Sequence, residues 1–233
     1  MQGEQGRGGL GAASQFGRRL AALKRNGCNV LLVGTDALDA GCERLLGESS
    51  AGPRYRLFVT TDARPSTARA RLAGVQSGSY RDPARVVNWR SAGRDAGKAN
   101  DWEDGEQPLR VTSVESRDLG DLGREVEAAV ESFEAEAGDF SPAELRLCVD
   151  SLAPLVETYD ERDLRRFLLG LVETVERVDG MGHYHLPESY DSETVAAVEP
   201  LFDAVIELRR VESRVEQRWH LSDAGVTTRW LAL

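Results

Sequence analysis

Short, continuous apolar runs alternate along the chain with stretches whose apolar residues recur every three or four positions. The runs Asn29–Val33, Tyr55–Thr61, Arg85–Trp89, Leu109–Ser113, Leu145–Val149, Gly182–Leu186 and Ala204–Leu208 predict strands. Between the first two, Leu38, Cys42, Leu45 and Leu46 fall at helical spacing within Ala37–Leu46. Ser66–Leu72 predicts a short helix that Pro65 opens at its first turn. The strongest pattern follows the fourth strand: Leu119, Leu122, Val126, Ala129, Val130 and Phe133 mark one face of a helix for which Asp118 is the natural cap. Glu161–Val178 predicts a second long helix, with Leu164, Phe167, Leu168, Leu171, Val172 and Val175 facing inward. Val195–Val198 predicts a short helix ended by Pro200, and Val215–Leu221 with Val226–Leu231 predicts a hairpin turning at 222–225.

Strands apolar on both faces, separated by amphipathic helices, imply an α/β fold: a mainly parallel central sheet covered on both sides, with the C-terminal antiparallel hairpin extending one edge. Residues 1–17 are Gly-rich and polar and predict a disordered tail. Residues 18–211 form the α/β domain and 212–233 the hairpin that continues its sheet. The segment Ser91–Pro108 is polar and rich in Gly and Asp, which predicts a long loop. Within it "GRDAGKAN" imitates a phosphate loop, but it is one residue short, carries Ala99 where Ser or Thr is needed, and precedes no helix.

At 233 residues the chain is long enough for a substantial core. Its formal net charge is -10, and only Lys24 and Lys98 among its 29 basic residues are lysines. The acidic surface repels phosphodiester backbones, which argues against nucleic acid as a partner. Carboxylate-rich, lysine-poor composition matches proteins of salt-loving archaea, where screening makes a large net charge tolerable. No apolar run reaches the length of a membrane span, and the first residues lack the apolar core of a signal peptide, so a cytoplasmic, non-membrane protein is expected. Cys28, Cys42 and Cys148 have no paired spacing; they predict buried free thiols, neither a zinc motif nor a disulfide framework.

Five stretches in order, "NVLLVGTDALDAGCERLLG", "RLFVTTDARPSTARARLA", "RVTSVESRDLGDLGREVEAAV", "LRLCVDSLAPLVETYDERDLRRFLLGL" and "GMGHYHLPESYDSETVAAVEPLFDAVIELR", resemble the RecA/KaiC-like ATPase superfamily. More narrowly they look like its haloarchaeal, HTR-like members, which lack an intact Walker A motif. The resemblance covers about residues 20–220 and implies a RecA-like three-layer sandwich. It also implies roles for particular residues. The first strand should run into GxxxxGK[ST], whose backbone N–H groups, Lys and hydroxyl bind phosphates and magnesium. Gly34 keeps the first position and Thr35 follows, but no glycine run or lysine comes after, and Asp36, Asp39 and Glu43 stand there instead. The paired acidic residues after the second strand reduce to Asp62 followed by Ala63. The Walker B form survives in "LRLCVDSL", with Asp150 and Ser151, although Asp150 without a phosphate to share its ion is also the kind of residue that caps backbone N–H groups.

The resemblance therefore implies a pseudo-ATPase: no catalytic residues, no cofactor, and a vestigial nucleotide site at Gly34, Thr35, Asp62, Asp150 and Ser151. The expected role is a regulatory or signal-transduction scaffold with a protein partner, as a monomer or homodimer. The alternative is a divergent nucleotide-binding ATPase that uses Asp62 and Asp150. His183 and His185 lie two apart on one strand, a spacing that can chelate zinc if Asp203 or Glu188 supplies a third ligand. Two histidines alone do not make a site, and no metal is expected. Trp219 and Trp230 can share a face of the terminal hairpin, and Arg165 and Arg166 can pair with acidic neighbours or reach a second subunit.

Overall fold

The computed structural model describes residues 7–48, 52–62, 65–75, 82–90, 109–221 and 225–233. In order, the elements are α1 (Arg7–Asn26), β1 (Cys28–Val33), α2 (Leu38–Leu46), β2 (Tyr55–Thr60), α3 (Pro65–Val75), β3 (Ala84–Trp89), β4 (Arg110–Val114), α4 (Leu119–Ala137) and β5 (Leu145–Val149). Then follow α5 (Ala153–Thr158), α6 (Glu161–Glu176), β6 (Met181–Leu186), α7 (Glu193–Val198), β7 (Ala204–Val211), β8 (Arg214–Leu221), β9 (Val226–Thr227) and β10 (Leu231–Ala232). A 3-10 turn at Glu199–Leu201 continues α7.

One sheet holds these strands in the order β10-β8-β7-β1-β6-β5-β2-β3-β4, with β9 also on β8. The seven strands from β7 to β4 run parallel, and β8, β9 and β10 add antiparallel pairings at one edge. The chain is thus α/β, with a mostly parallel central sheet and C-terminal antiparallel strands, as the doubly buried apolar runs imply. No helix among the described residues is long and apolar enough to cross a membrane.

The crossovers divide the helices between two faces. On one, α2 and α3 carry the chain from β1 to β2 to β3, and α1 packs beside them through Phe16 and Leu23. On the other, α4, α6 and α7 carry it back from β4 to β5, β6 and β7. Alternation along each strand then decides what each layer receives. Leu31, Val33, Leu57, Val59, Leu145, Leu147 and Tyr184 fill the α4/α6 layer as part of one continuous core. Their chain neighbours Val30, Leu32, Phe58 and Cys148 turn to the α1/α2/α3 layer, where the apolar residues form two separate clusters.

Capping follows the sequence signals where they exist. The Asp118 side chain accepts from the Gly120 N–H at the start of α4, and Asp160 and Ser192 cap α6 and α7 in the same way. Three readings need correction. Residues 7–17, expected in a disordered tail, belong to α1: apolar residues at helical spacing, Phe16 and Leu23, dock the helix on the sheet and outweigh its glycines. Short α5 follows β5 directly and was not anticipated, since six residues are too few to show a period. The last predicted strand is broken into β9 and β10: Thr228 still donates its N–H to the Trp219 carbonyl of β8 at 2.9 Å, and regular pairing resumes at Leu231 opposite Gln217. The expected loop 91–108, including its phosphate-loop look-alike, and residues 222–224 of the hairpin turn lie outside the described residues.

Candidate functional site

Two places on this framework collect chemistry. The first is the crest, where the parallel strands deliver their C-terminal ends. Direction reverses there: β1 leads to the α2 face, whereas its neighbour β6 leads to the opposite face, the kind of switch point at which open α/β sheets bind ligands. The connection from β1 to α2 is only Gly34–Ala37. Gly34 has φ +133, and a Cβ there would stand 2.3 Å from the Leu208 carbonyl oxygen on β7, so only glycine fits. Its N–H donates to the Glu188 carbonyl at 2.9 Å, which closes the turn against the β6 loop. Thr35 and Asp36 project into solvent. Ala37 at the start of α2 offers no side-chain cap, and Asp39 in the first turn is held by Arg71 at 2.6 Å.

Asp62, Asp150 and Ser151 come together two strands away, with β6 intervening. Asp62 is exposed at the end of β2, and Ala63 lies outside the described residues. Asp150 is buried at the end of β5, where its Oδ1 accepts from the Thr61 N–H at 2.7 Å and the Thr61 hydroxyl at 3.0 Å. The Thr61 hydroxyl shares its one proton between Asp150 and the Ser151 carbonyl, and the Ser151 hydroxyl accepts from the Ala153 N–H at 3.3 Å. These contacts tie the β2 and β5 ends to each other. They are the backbone-capping contacts open to such an aspartate.

The second place is buried under α2. Parallel pairing sets Cys148 of β5 directly beside His183 of β6, and His185 follows two residues on along the same face. Cys42, on the inward stripe of α2, descends onto them. The four side chains are essentially inaccessible, at 0% for both cysteines and 1% for both histidines. Cys42 Sγ is 3.4 Å from Cys148 Sγ and 3.3 Å from His183 Nε2, and Cys148 Sγ is 3.9 Å from His185 Nε2. All four donor atoms lie within 4.8 Å of one another. Arg71 of α3 closes the side of the group, with Nη1 4.0 Å from Cys148 Sγ. Burial pushes the Cys148 thiol up to about 11 and lowers the His183 imidazole, so both are neutral as they stand.

The histidine pair was legible in the sequence, but its expected third ligands are elsewhere. Asp203 accepts from the Asn29 N–H at 2.8 Å, at the far end of β1, and Glu188 sits beside Gly34 at the crest. Cys42 and Cys148, expected to be free buried thiols outside any zinc motif, are the residues that face the histidines. No spacing rule could find them, since Cys42 is 106 residues from Cys148 and 141 from His183.

The remaining candidates disperse. Trp219 packs on Phe16 of α1, while Trp230 covers Arg209 and Arg218, whose side chains leave β7 and β8 on the other face; the tryptophans do not share a face. Arg166 pairs with Asp163 within α6 at 3.3 Å. An open cleft of about 340 Å³ between α4 and α6 is lined by both charge signs, including Arg117, Arg166 and Glu127.

The sequence profile of a family of unknown function (DUF7504) matches residues 27–208. The matched span starts one residue before β1 and ends in β7, so it contains the crest and all four of the buried Cys and His residues. No curated protein matches the chain.

Proposed function

The chain belongs to the DUF7504 family, and we propose that it is a RecA/KaiC-like domain of a halophilic archaeon that has kept the layered framework of an ATPase without its chemistry. Its role is that of a pseudo-ATPase scaffold, regulatory or signal-transducing, acting through contacts with a protein partner. The short turn Gly34–Ala37 carries this reading. A phosphate loop needs a wider bend whose N–H groups converge on the ligand, followed by a lysine. Here the bend is closed by the Glu188 carbonyl, Asp36 is exposed within it, and Asp39 in the first turn of α2 brings a second carboxylate. Each charge-assisted hydrogen bond lost removes roughly 1.5–3 kcal/mol, so two or three lost contacts weaken a polyphosphate by several orders of magnitude at about 1.4 kcal/mol per tenfold.

The divergent-ATPase alternative asks Asp150 to hold a magnesium-bound water. Its engagement with Thr61 weighs against that role. Isothermal titration with Mg-ATP in concentrated potassium chloride separates the readings. The scaffold gives no binding heat, and light scattering of the same sample gives a monomer or dimer. Saturable micromolar binding contradicts the scaffold.

A further inference from the structure

We propose that Cys42, Cys148, His183 and His185 form a tetrahedral Cys2His2 zinc site that fastens α2 to β5 and β6. The argument begins with what these side chains lack in its absence. Two imidazoles and two thiols are buried at 0–1% exposure, and the neighbouring buried polar groups are spoken for elsewhere: Arg56 pairs with Asp82 and Arg146 donates to the Leu45 carbonyl. A buried imidazole needs strong partners, and a thiol is a weak donor and a weak acceptor. One metal ion satisfies all four groups at once.

The distances fit such an ion. Zinc binds sulfur at about 2.3 Å and imidazole nitrogen at about 2.0–2.1 Å, which gives tetrahedral edges of about 3.8 Å for S–S and about 3.6 Å for S–N. The corresponding separations are 3.4 Å between the sulfurs and 3.3 and 3.9 Å for two of the sulfur–Nε2 pairs, and all four donor atoms lie within 4.8 Å of one another, so the widest pair draws in when the ion binds. The charge also balances. Two thiolates and two neutral imidazoles around Zn²⁺ give a neutral site, and the adjacent Arg71 is itself paired with Asp39. Two sulfur and two nitrogen donors in a tetrahedron select zinc over magnesium, calcium or manganese. Four protein ligands leave no position for water, so the site is structural and not catalytic.

The consequence is local. α2 has no side-chain cap at its start, and a bond from Cys42 to the metal anchors its second turn to the two adjacent strands. The ion is enclosed, so it enters as the chain folds. This inference is independent of the scaffold reading: zinc can sit below α2 whether or not a nucleotide binds above it.

The test uses the full chain, purified under reducing conditions without chelator. Elemental analysis by mass spectrometry should give one zinc per chain. Replacement by cobalt should give visible d–d bands of tetrahedral coordination together with thiolate-to-cobalt charge transfer. Restoring zinc to stripped protein, at about a hundredfold over Kd, should raise Tm by roughly 5–10 °C. In Cys148→Ser and His185→Gln the zinc content should fall to background. If either variant fails to fold, the wild-type cobalt spectrum decides alone. Wild-type protein without zinc and without a thiolate–cobalt band overturns the proposal, as does a Cys42–Cys148 disulfide by intact mass, or stoichiometric copper or iron in place of zinc.

Discussion

The two faces of the central sheet are built from the same strands, yet they bury different chemistry. Under α4 and α6 the layer is continuous and apolar, and its strand residues include Leu31, Leu57, Leu147 and Tyr184. Polar groups are closed inside it as well: the Tyr184 hydroxyl donates to the Asn29 Oδ1 at 2.9 Å, and the buried Arg85 guanidinium donates to Ser132 Oγ and Glu136 of α4 at 2.9 and 2.7 Å. Under α2 the positions one step away along the same strands are Arg56, Arg146, Cys148, His183 and His185. Arg56 reaches Asp82 at 2.5 Å and the Gly47 carbonyl at 2.6 Å, and Arg146 reaches the Leu45 carbonyl at 3.0 Å. Those two carbonyls lie at the C-terminal end of α2, where a cation complements the helix dipole. The α4/α6 face therefore rests chiefly on one continuous apolar layer, and the α2 face on smaller apolar clusters with buried cations directed to the end of one helix. A strand with a side-chain period of two can write both programs at once.

Substitutions that respect this division should have graded effects. The largest are expected from removing the centre of either program. Phe133→Ala on α4 empties a fully buried site that packs against Tyr55 and lies under the Arg85 guanidinium, and should cost about 3–5 kcal/mol in denaturant unfolding. Asp82→Ala leaves the Arg56 cation buried without its carboxylate. With both side chains at 0% exposure, solvent screening gives no relief, and a loss of about 3–5 kcal/mol is expected. The sharper contrast is the double variant Arg56→Met with Asp82→Leu, which should recover most of that loss; Phe133 has no such rescue by a second change. Tyr184→Phe strands the Asn29 side-chain Oδ1 and should cost about 1–3 kcal/mol. Smallest is Asp118→Ala at the cap of α4, about 1 kcal/mol by the same unfolding curves. If Asp82→Ala proved as mild as Asp118→Ala, the α2 face would not depend on its directed contacts.

Much of the architecture was legible because burial on both sides of a parallel strand leaves an apolar run, and because long helices repeat. β5 matches its predicted bounds, α4 begins after its predicted cap Asp118, and α6 begins at the predicted Glu161 and ends at Glu176 where Val178 was expected. The helix α1 was hidden by glycines, whose weak helix propensity is outweighed by docking on the sheet. At the candidate site the visibility was partial for a different reason. His183 and His185 share one strand, so their common face follows from alternation alone. Cys148 looked like an ordinary member of an apolar strand and Cys42 like one of an apolar helix stripe. What unites them is the register of β5 on β6, which pairs Cys148 with His183, and the short turn that lowers α2 onto both. Neither the register nor the landing point of α2 is written in local spacing.

The contrast between the faces comes to a single point beneath α2, and anomalous diffraction from crystals of the untreated protein, recorded at the zinc absorption edge, addresses it most directly. One strong anomalous peak is expected, about 2.3 Å from Cys42 Sγ and Cys148 Sγ and about 2.0–2.1 Å from His183 Nε2 and His185 Nε2. A featureless map at that position, with the four side chains ordered and in van der Waals contact, would contradict it.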